Sequence, residues 1–209
     1  MGDASPSKRV AIVQTGTANI ASIVAAFRRL GADVELTADP EVVKREEHVV
    51  LPGVGTLGAA FRELEAHRLV TPLRERIRAG RPTLAVCVGL QLLAESSEES
   101  PESEGLGILP VRVRRFTSSL PIPQMGWNEI ASDDSKGLLE TGYAYFANSY
   151  RISDPLPPEW RVAHADYGEK FVAAIERGPV LACQFHPELS GAFGQALLGR
   201  WLATESRVS

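Results

Sequence analysis

From Arg9 to about Ala94, short apolar runs alternate with amphipathic stretches, the pattern of a parallel sheet covered by helices. Strands are predicted at Arg9–Gln14, Val34–Leu36, His48–Leu51 and Thr83–Cys87. Ile20, Ile23, Val24, Phe27 and Leu30 recur at three- and four-residue steps, which predicts a helix over Asn19–Leu30. Helices also follow at Leu57–Ala66 and Pro72–Ala79, the latter stopped by Gly80 and Pro82, and another opens at Leu90–Ala94. Arg74, Arg76 and Arg78 alternate along the Pro72–Ala79 helix and read as a solvated face.

Glu95–Gly105 has a different character, with five glutamates, four serines, a proline and no basic residue. It reads as a solvated surface loop without chemistry. Beyond it strands predominate, at Val111–Phe116, Tyr143–Ala147, Arg161–Ala165, Phe171–Ile175 and Val180–Gln184, before a last helix over Ala192–Ala203. No internal repeat and no long linker divides the chain. The expectation is one α/β domain over residues 8–205, with residues 1–7 frayed and disordered.

Composition narrows the function. Of 209 residues, 44% are hydrophobic and 23% charged, enough for a core that needs no metal or disulfide. The net charge of −4 leaves no basic footprint, so no nucleic-acid partner is expected. No apolar run approaches the ~20 residues that span a bilayer, and the N-terminus lacks the apolar stretch of a signal peptide. A soluble, cytoplasmic protein without membrane contact is therefore expected. Cys87 and Cys183 have no CxxC spacing, so neither a disulfide framework nor a metal site is indicated.

Candidate chemistry begins at Thr83-Leu-Ala-Val-Cys-Val-Gly-Leu-Gln91, where an apolar strand runs into Cys87 and a helix starts at once. Small residues two places before and after it, Ala85 and Gly89, suit a nucleophile elbow, a tight strand-to-helix turn that presents a reactive side chain. A helix N-terminus favours negative charge and so favours a thiolate. On this segment alone a buried core cysteine competes equally. The segment Gln184-Phe-His-Pro-Glu188 decides between them. A nucleophilic thiol needs a base and the base needs an orienting group, and His186 and Glu188 at the end of a strand fit those roles. Cys183 lies inside the strand and reads as core. The Gly-rich turn Leu51-Pro-Gly53-Val-Gly55 follows another strand and offers backbone N–H groups to an oxyanion.

These segments together resemble the class I glutamine amidotransferases. The resemblance implies a flavodoxin-like α/β fold, a central mostly parallel sheet flanked by helices, and a Cys-His-Glu triad. Within that class the chain is most similar to the glutaminase subunits of imidazole glycerol phosphate synthases, from histidine biosynthesis. The marks are Leu-Pro-Gly-Val-Gly-Thr-Leu-Gly (51–58), Pro-Gln-Met-Gly-Trp-Asn (123–128), Tyr-Phe-Ala-Asn-Ser-Tyr (145–150) and Asp-Tyr-Gly (166–168). The resemblance implies that Cys87 attacks the side-chain amide of L-glutamine to form a thioester, with His186 moving the proton and Glu188 orienting it. It implies that Gly53 and Gln91 help hold glutamine and that the amides around Val54 and Val88 stabilise the oxyanion. No cofactor is implied.

The resemblance also implies a heterodimer with a TIM-barrel cyclase subunit, which uses the ammonia to convert PRFAR into imidazole glycerol phosphate and AICAR. Asn19, Met125, Trp127 and Tyr145 would meet that partner. Three departures from the family pattern stand out: Gln14-Thr-Gly-Thr-Ala-Asn19 replaces the usual Asp-Tyr-Gly-x-Gly-Asn, Leu189 a usual lysine, and Asn148 a frequent histidine, the first two of which bear on the partner contact. The competing readings are a class I glutaminase feeding a different synthase, and a non-catalytic regulatory module on the same fold.

Overall fold

The computed structural model describes residues 8–16, 20–132, 136–153 and 155–206. Residues 1–7, expected to be frayed, and Asn19, expected at the partner contact, lie outside the described residues. In chain order the strands are β1 (Arg9–Val13), β2 (Asp33–Thr37), β3 (His48–Gly53), β4 (Thr83–Cys87), β5 (Ser96–Ser97) and β6 (Arg112–Arg115). They continue with β7 (Gln124–Ser132), β8 (Gly142–Asn148), β9 (Tyr150–Arg151), β10 (Arg161–Asp166), β11 (Lys170–Arg177) and β12 (Val180–Cys183). The helices are α1 (Ile20–Arg29), α2 (Pro40–Arg45), α3 (Leu57–Ala66), α4 (Val70–Arg78), α5 (Val88–Gln91) and α6 (Gly191–Leu202), with a 3-10 turn at Pro187–Leu189.

Among the described residues a nine-stranded sheet runs in the order β2-β1-β3-β4-β12-β11-β10-β7-β8. Its first five strands are mutually parallel, in the order of a flavodoxin-like doubly wound sheet. The strand-rich second half adds an antiparallel extension through β11, β10, β7 and β8. Every residue of β3 and β4 is buried, so helices must cover both faces there. Phe27 of α1 packs edge-on against Trp201 of α6, with ring centroids 5.6 Å apart, while α4 contacts both α2 and α3. At the far end, β7 and β8 bury one face and leave Met125, Trp127 and Tyr143 outward. A separate three-strand ladder, β5-β6-β9, flanks this sheet. No helix among the described residues is long and apolar enough to cross a membrane.

Two expectations need correction. Residues 74, 76 and 78 cannot share one helical face, because a two-residue step turns about 200°. Arg76 points inward beside Leu73 and is buried. Its guanidinium donates to Val43 O at 3.0 Å, Glu46 O at 2.8 Å, Pro82 O at 2.8 Å and Thr83 Oγ1 at 3.2 Å, and also to Glu47 O. It ties the end of α2 to the entries of β3 and β4. Arg74 donates to the carbonyls of Leu106 and Gly105, and Arg78 alone is exposed.

The acidic 95–105 segment is the second correction. Ser97 is fully buried in β5, and the segment caps the first turn of α3. Leu57 N donates to Glu99 Oε2 at 3.3 Å and Gly58 N to Ser100 Oγ at 3.2 Å, while Thr56 Oγ1 accepts from Ala59 N. Three otherwise orphaned N–H groups are satisfied this way. A charge count along the chain does not register a cap supplied to a helix forty residues away.

His48, to which the sequence assigned no role, is buried at the start of β3 with its ring edge-on to Trp201 at 5.1 Å. Burial, helped by the charge of Lys8, pushes its pKa down to about 4. The unfolded chain therefore binds a proton at His48 that the folded chain refuses. Stability should fall as pH drops from about 6.5 to about 4 and then level off, by at most roughly 3 kcal/mol. Urea unfolding across that window checks this. His48→Leu should flatten this part of the slope.

Candidate active site

β4 ends in Cys87, whose backbone has φ +56° and ψ −109°, a left-handed conformation that non-glycine residues adopt at a cost of ~1–3 kcal/mol. The chain can turn here only because α5 starts at once and β3 lies close. Gly53 pairs with Cys87 in the β3–β4 register. A Cβ on Gly89 would sit 2.1 Å from Leu51 O, and one on Gly53 would sit 2.8 Å from Val88 Cβ. Neither position has room for a side chain, so the elbow and the Gly53 turn interlock through backbone contact.

β12 delivers the second group. After Cys183 the chain passes Gln184 and Phe185, and His186 stands immediately before the 3-10 turn. His186 Nδ1 and Glu188 Oε1 are 2.8 Å apart, with both side chains buried. Glu188 Oε2 is also buried and has no partner, so the carboxylate is directed at the imidazole alone. Burial by itself would lower the pKa of His186. The hydrogen bonds to Cys87 and Glu188 and their negative charge outweigh it and hold the imidazole well above the ordinary histidine range. The turn is fixed from β8: His186 N donates to Tyr145 O at 2.9 Å, Tyr145 N to Ser190 Oγ at 3.0 Å, and Ser190 Oγ to His186 O at 2.6 Å. Cys183, wholly buried, has its thiol pushed far up by desolvation and by Glu188.

A cavity of about 300 Å³ opens at these strand ends, within the size range of small-molecule sites. Cys87, His186, Val54, Val88 and Gln91 line it, so five of the sequence-predicted residues meet there. Gly53 lies just behind, shaping the turn. The cavity adds residues that the sequence reading missed: Glu99 from the acidic segment, Asn148, Ser149 and Tyr150 from the β8–β9 turn, and Pro123. Asn148 Oδ1 is buried without a partner, and burial raises the pKa of the Glu99 carboxyl. No cluster of His, Cys, Asp and Glu among the described residues is arranged to hold a metal.

Gln184 is the other residue the sequence reading passed over, although it stands two places before the histidine. It is fully buried, and its Nε2 donates to Cys87 Sγ at 3.8 Å. Its Oε1 accepts from Gln91 Nε2 at 3.0 Å, and the other hydrogen of that nitrogen goes to Tyr150 O at 3.2 Å. Both Gln91 hydrogens are thus spent on protein, which leaves its Oε1 as an acceptor for the cavity. The same chain fixes the Gln184 amide with its N–H toward sulfur.

Met125, Trp127 and Tyr145 share the outward face of β7 and β8, where Trp127 pairs with Tyr145 and their rings meet edge-on at 6.2 Å. Met125 is 67% and Trp127 58% exposed. Leu189 is exposed as well, and Gly191, two residues on, lies next to the Trp127 ring.

Replacing Gln184 by methionine, close in size, removes the donor to sulfur. The rate of Cys87 alkylation by iodoacetamide at neutral pH should fall about tenfold with kcat falling alongside, the loss of one hydrogen bond to sulfur. Cys183, being buried, should not react in the folded chain. An unchanged alkylation rate in a folded Gln184→Met variant would show that this contact contributes nothing.

The family model described as glutamine amidotransferase class-I matches residues 11–203. The chain is 40% identical over 196 residues to "Imidazole glycerol phosphate synthase subunit HisH" of Idiomarina loihiensis, a match covering 92% of this chain and 96% of that one. It is also 40% identical over 203 residues to the longer "Imidazole glycerol phosphate synthase hisHF" of Schizosaccharomyces pombe, covering 92% of this chain and 38% of that protein. Among solved structures, one titled "Crystal structure of glutamine amidotransferase" superposes with a TM-score of 0.72 over 92% of this chain and 96% of the other, at 21% identity, a likeness of fold. A cysteine elbow facing a His–Glu pair across parallel strands, a match over nearly the whole described chain and relatives at 40% identity agree: the chain belongs to the class-I glutamine amidotransferase family.

Proposed function

We propose that the chain is the glutaminase subunit of an imidazole glycerol phosphate synthase, hydrolysing L-glutamine to glutamate and ammonia for a cyclase subunit. The observation that carries this reading is the line from Cys87 through His186 to Glu188 at the ends of β4 and β12, in a chain 40% identical to a HisH subunit.

Glutamine enters the cavity with its side-chain amide toward Cys87. The unpartnered Asn148 Oδ1, the Gln91 Oε1 and the Glu99 carboxylate are acceptors suited to its α-ammonium group. His186, held between Cys87 and Glu188, takes the proton of the Cys87 thiol. Sγ attacks the amide carbon, and the oxygen takes up negative charge facing the backbone N–H groups of the Val54 turn and Val88. A well-placed donor of this kind is worth about 10²–10³ in rate. The C–N bond then breaks as His186 gives its proton to the leaving nitrogen, and ammonia departs from the γ-glutamyl thioester. Water attacks the thioester, His186 takes its proton, and glutamate leaves with the Cys87–His186 pair restored. Glu188 keeps the ring in the orientation for both transfers.

The cyclase, a TIM barrel in this reading, docks on the outward face of β7 and β8 around Met125, Trp127 and Tyr145. Around those three residues the face is apolar and reaches the exposed Leu189, so a partner surface there is uncharged opposite Leu189. The cavity mouth borders the same face through Ala147 and Pro123, which keeps the path for ammonia short.

Cys87→Ala should abolish glutamine hydrolysis and Cys183→Ala should not, with ammonia release as the assay; turnover unchanged in Cys87→Ala would overturn the reading. Glu188→Gln should lower kcat by about 10²–10⁴ with the fold intact. Adding the cyclase subunit should speed hydrolysis and Trp127→Glu should weaken that response, both measured by titrating the partner at saturating glutamine.

A further inference from the structure

In the β5-β6-β9 ladder, Arg114 of β6 stands opposite Arg151 of β9. Like charges facing each other across a strand pair destabilise it. Arg112 lies two residues along β6, on the same face as Arg114. All three arginines line one cavity of about 470 Å³, distinct from the Cys87 cavity, with Ser153 at one side and Pro110 and Pro155 as apolar wall.

Arg151 is about nine-tenths buried, and its guanidinium is held in place. One nitrogen donates to Ser153 Oγ at 2.5 Å and another pairs with Glu169, while Nε is buried with no partner. Glu169 is shared further, since it also accepts from Thr117 N. Arg112 and Arg114 are exposed and make no ion pair among the described residues. Among the described residues, three guanidinium groups face one carboxylate. The chain as a whole is acidic, so this concentration of positive charge is local.

We infer that this cavity binds a phosphomonoester, a small phosphorylated molecule rather than bare phosphate. A phosphomonoester near neutral pH carries close to two negative charges on three terminal oxygens, enough to engage more than one guanidinium at once, where a single carboxylate has one charge and two oxygens. Guanidinium forks suit phosphate oxygens in paired hydrogen bonds, and the Ser153 oxygen, already accepting from Arg151, keeps its hydrogen for a phosphate oxygen. The volume falls within the roughly 300–1,000 Å³ of small-molecule sites, which leaves room for an organic group against Pro110 and Pro155. Arg151 directly follows Tyr150, whose carbonyl receives the Gln91 and Asn148 amides, so the site backs onto the wall of the Cys87 cavity.

The test measures the thermal midpoint of the full chain at about pH 7.5, where a phosphomonoester is mostly dianionic. Ribose 5-phosphate, inorganic phosphate and ribose are titrated against sodium chloride at matched ionic strength. Ribose 5-phosphate should raise the midpoint saturably beyond the chloride control, at least as effectively as inorganic phosphate, and ribose should not. The double variant Arg112→Gln/Arg114→Gln, both surface positions away from Cys87, should bind about tenfold or more weakly while hydrolysing glutamine normally. The inference is overturned if chloride reproduces the shift, if the double variant binds equally well, or if inorganic phosphate binds and ribose 5-phosphate does not.

Discussion

The contact on which the active site depends is a backbone one. Gly89 lies so close to Leu51 O that no side chain fits between them, and this closeness lets Cys87 sit at φ +56° between a strand and a helix. A strained residue persists only where its surroundings leave it no alternative. Here the surroundings are β3 and β4, buried along their full length and paired in parallel. Their packing holds Cys87 at the sheet's carboxyl end and sets the Gly53 turn beside it. The His186 turn arrives from β12, the next strand over, so three adjacent strands bring Cys87, His186 and the Gly53 turn together.

Polar groups at the site are arranged as chains that end on Cys87 and His186. Glu188 has one oxygen on His186 and none elsewhere. Tyr150 O orders Gln91, which orders Gln184, which donates to Cys87 Sγ. In a buried setting each such bond is strong and each unmade one is costly, so the amide orientations follow from the network. The acidic 95–105 segment plays a comparable part, fixing the start of α3 while bringing Glu99 to the cavity wall.

Much of this was legible in the sequence because it is local. The parallel half of the sheet follows from apolar runs at β1, β3 and β4, and the elbow from small residues around Cys87. His186 and Glu188 are two residues apart, so their pairing needs no tertiary knowledge. Missed features depend on distant partners. β7 went unread because Gly126, Asn128 and Glu129 interrupt its alternation, and only pairing with β8 and β10 makes it a strand. Arg76 looked solvated because a charge on an exposed helix usually is, yet five acceptors from other segments surround it. Gln184 and Glu99 are ordinary polar residues until the fold aims them at Cys87 and its cavity.

Tyr145 belongs to two places at once. Its peptide group clamps the His186 turn from both sides, through His186 N and Ser190 Oγ, while its ring lies edge-on to Trp127 on the outward face. Thermodynamic reciprocity then applies to this one residue. For a partner that fixes the ring, the factor by which it favours the restrained histidine turn is the factor by which a ligand restraining that turn favours the partner.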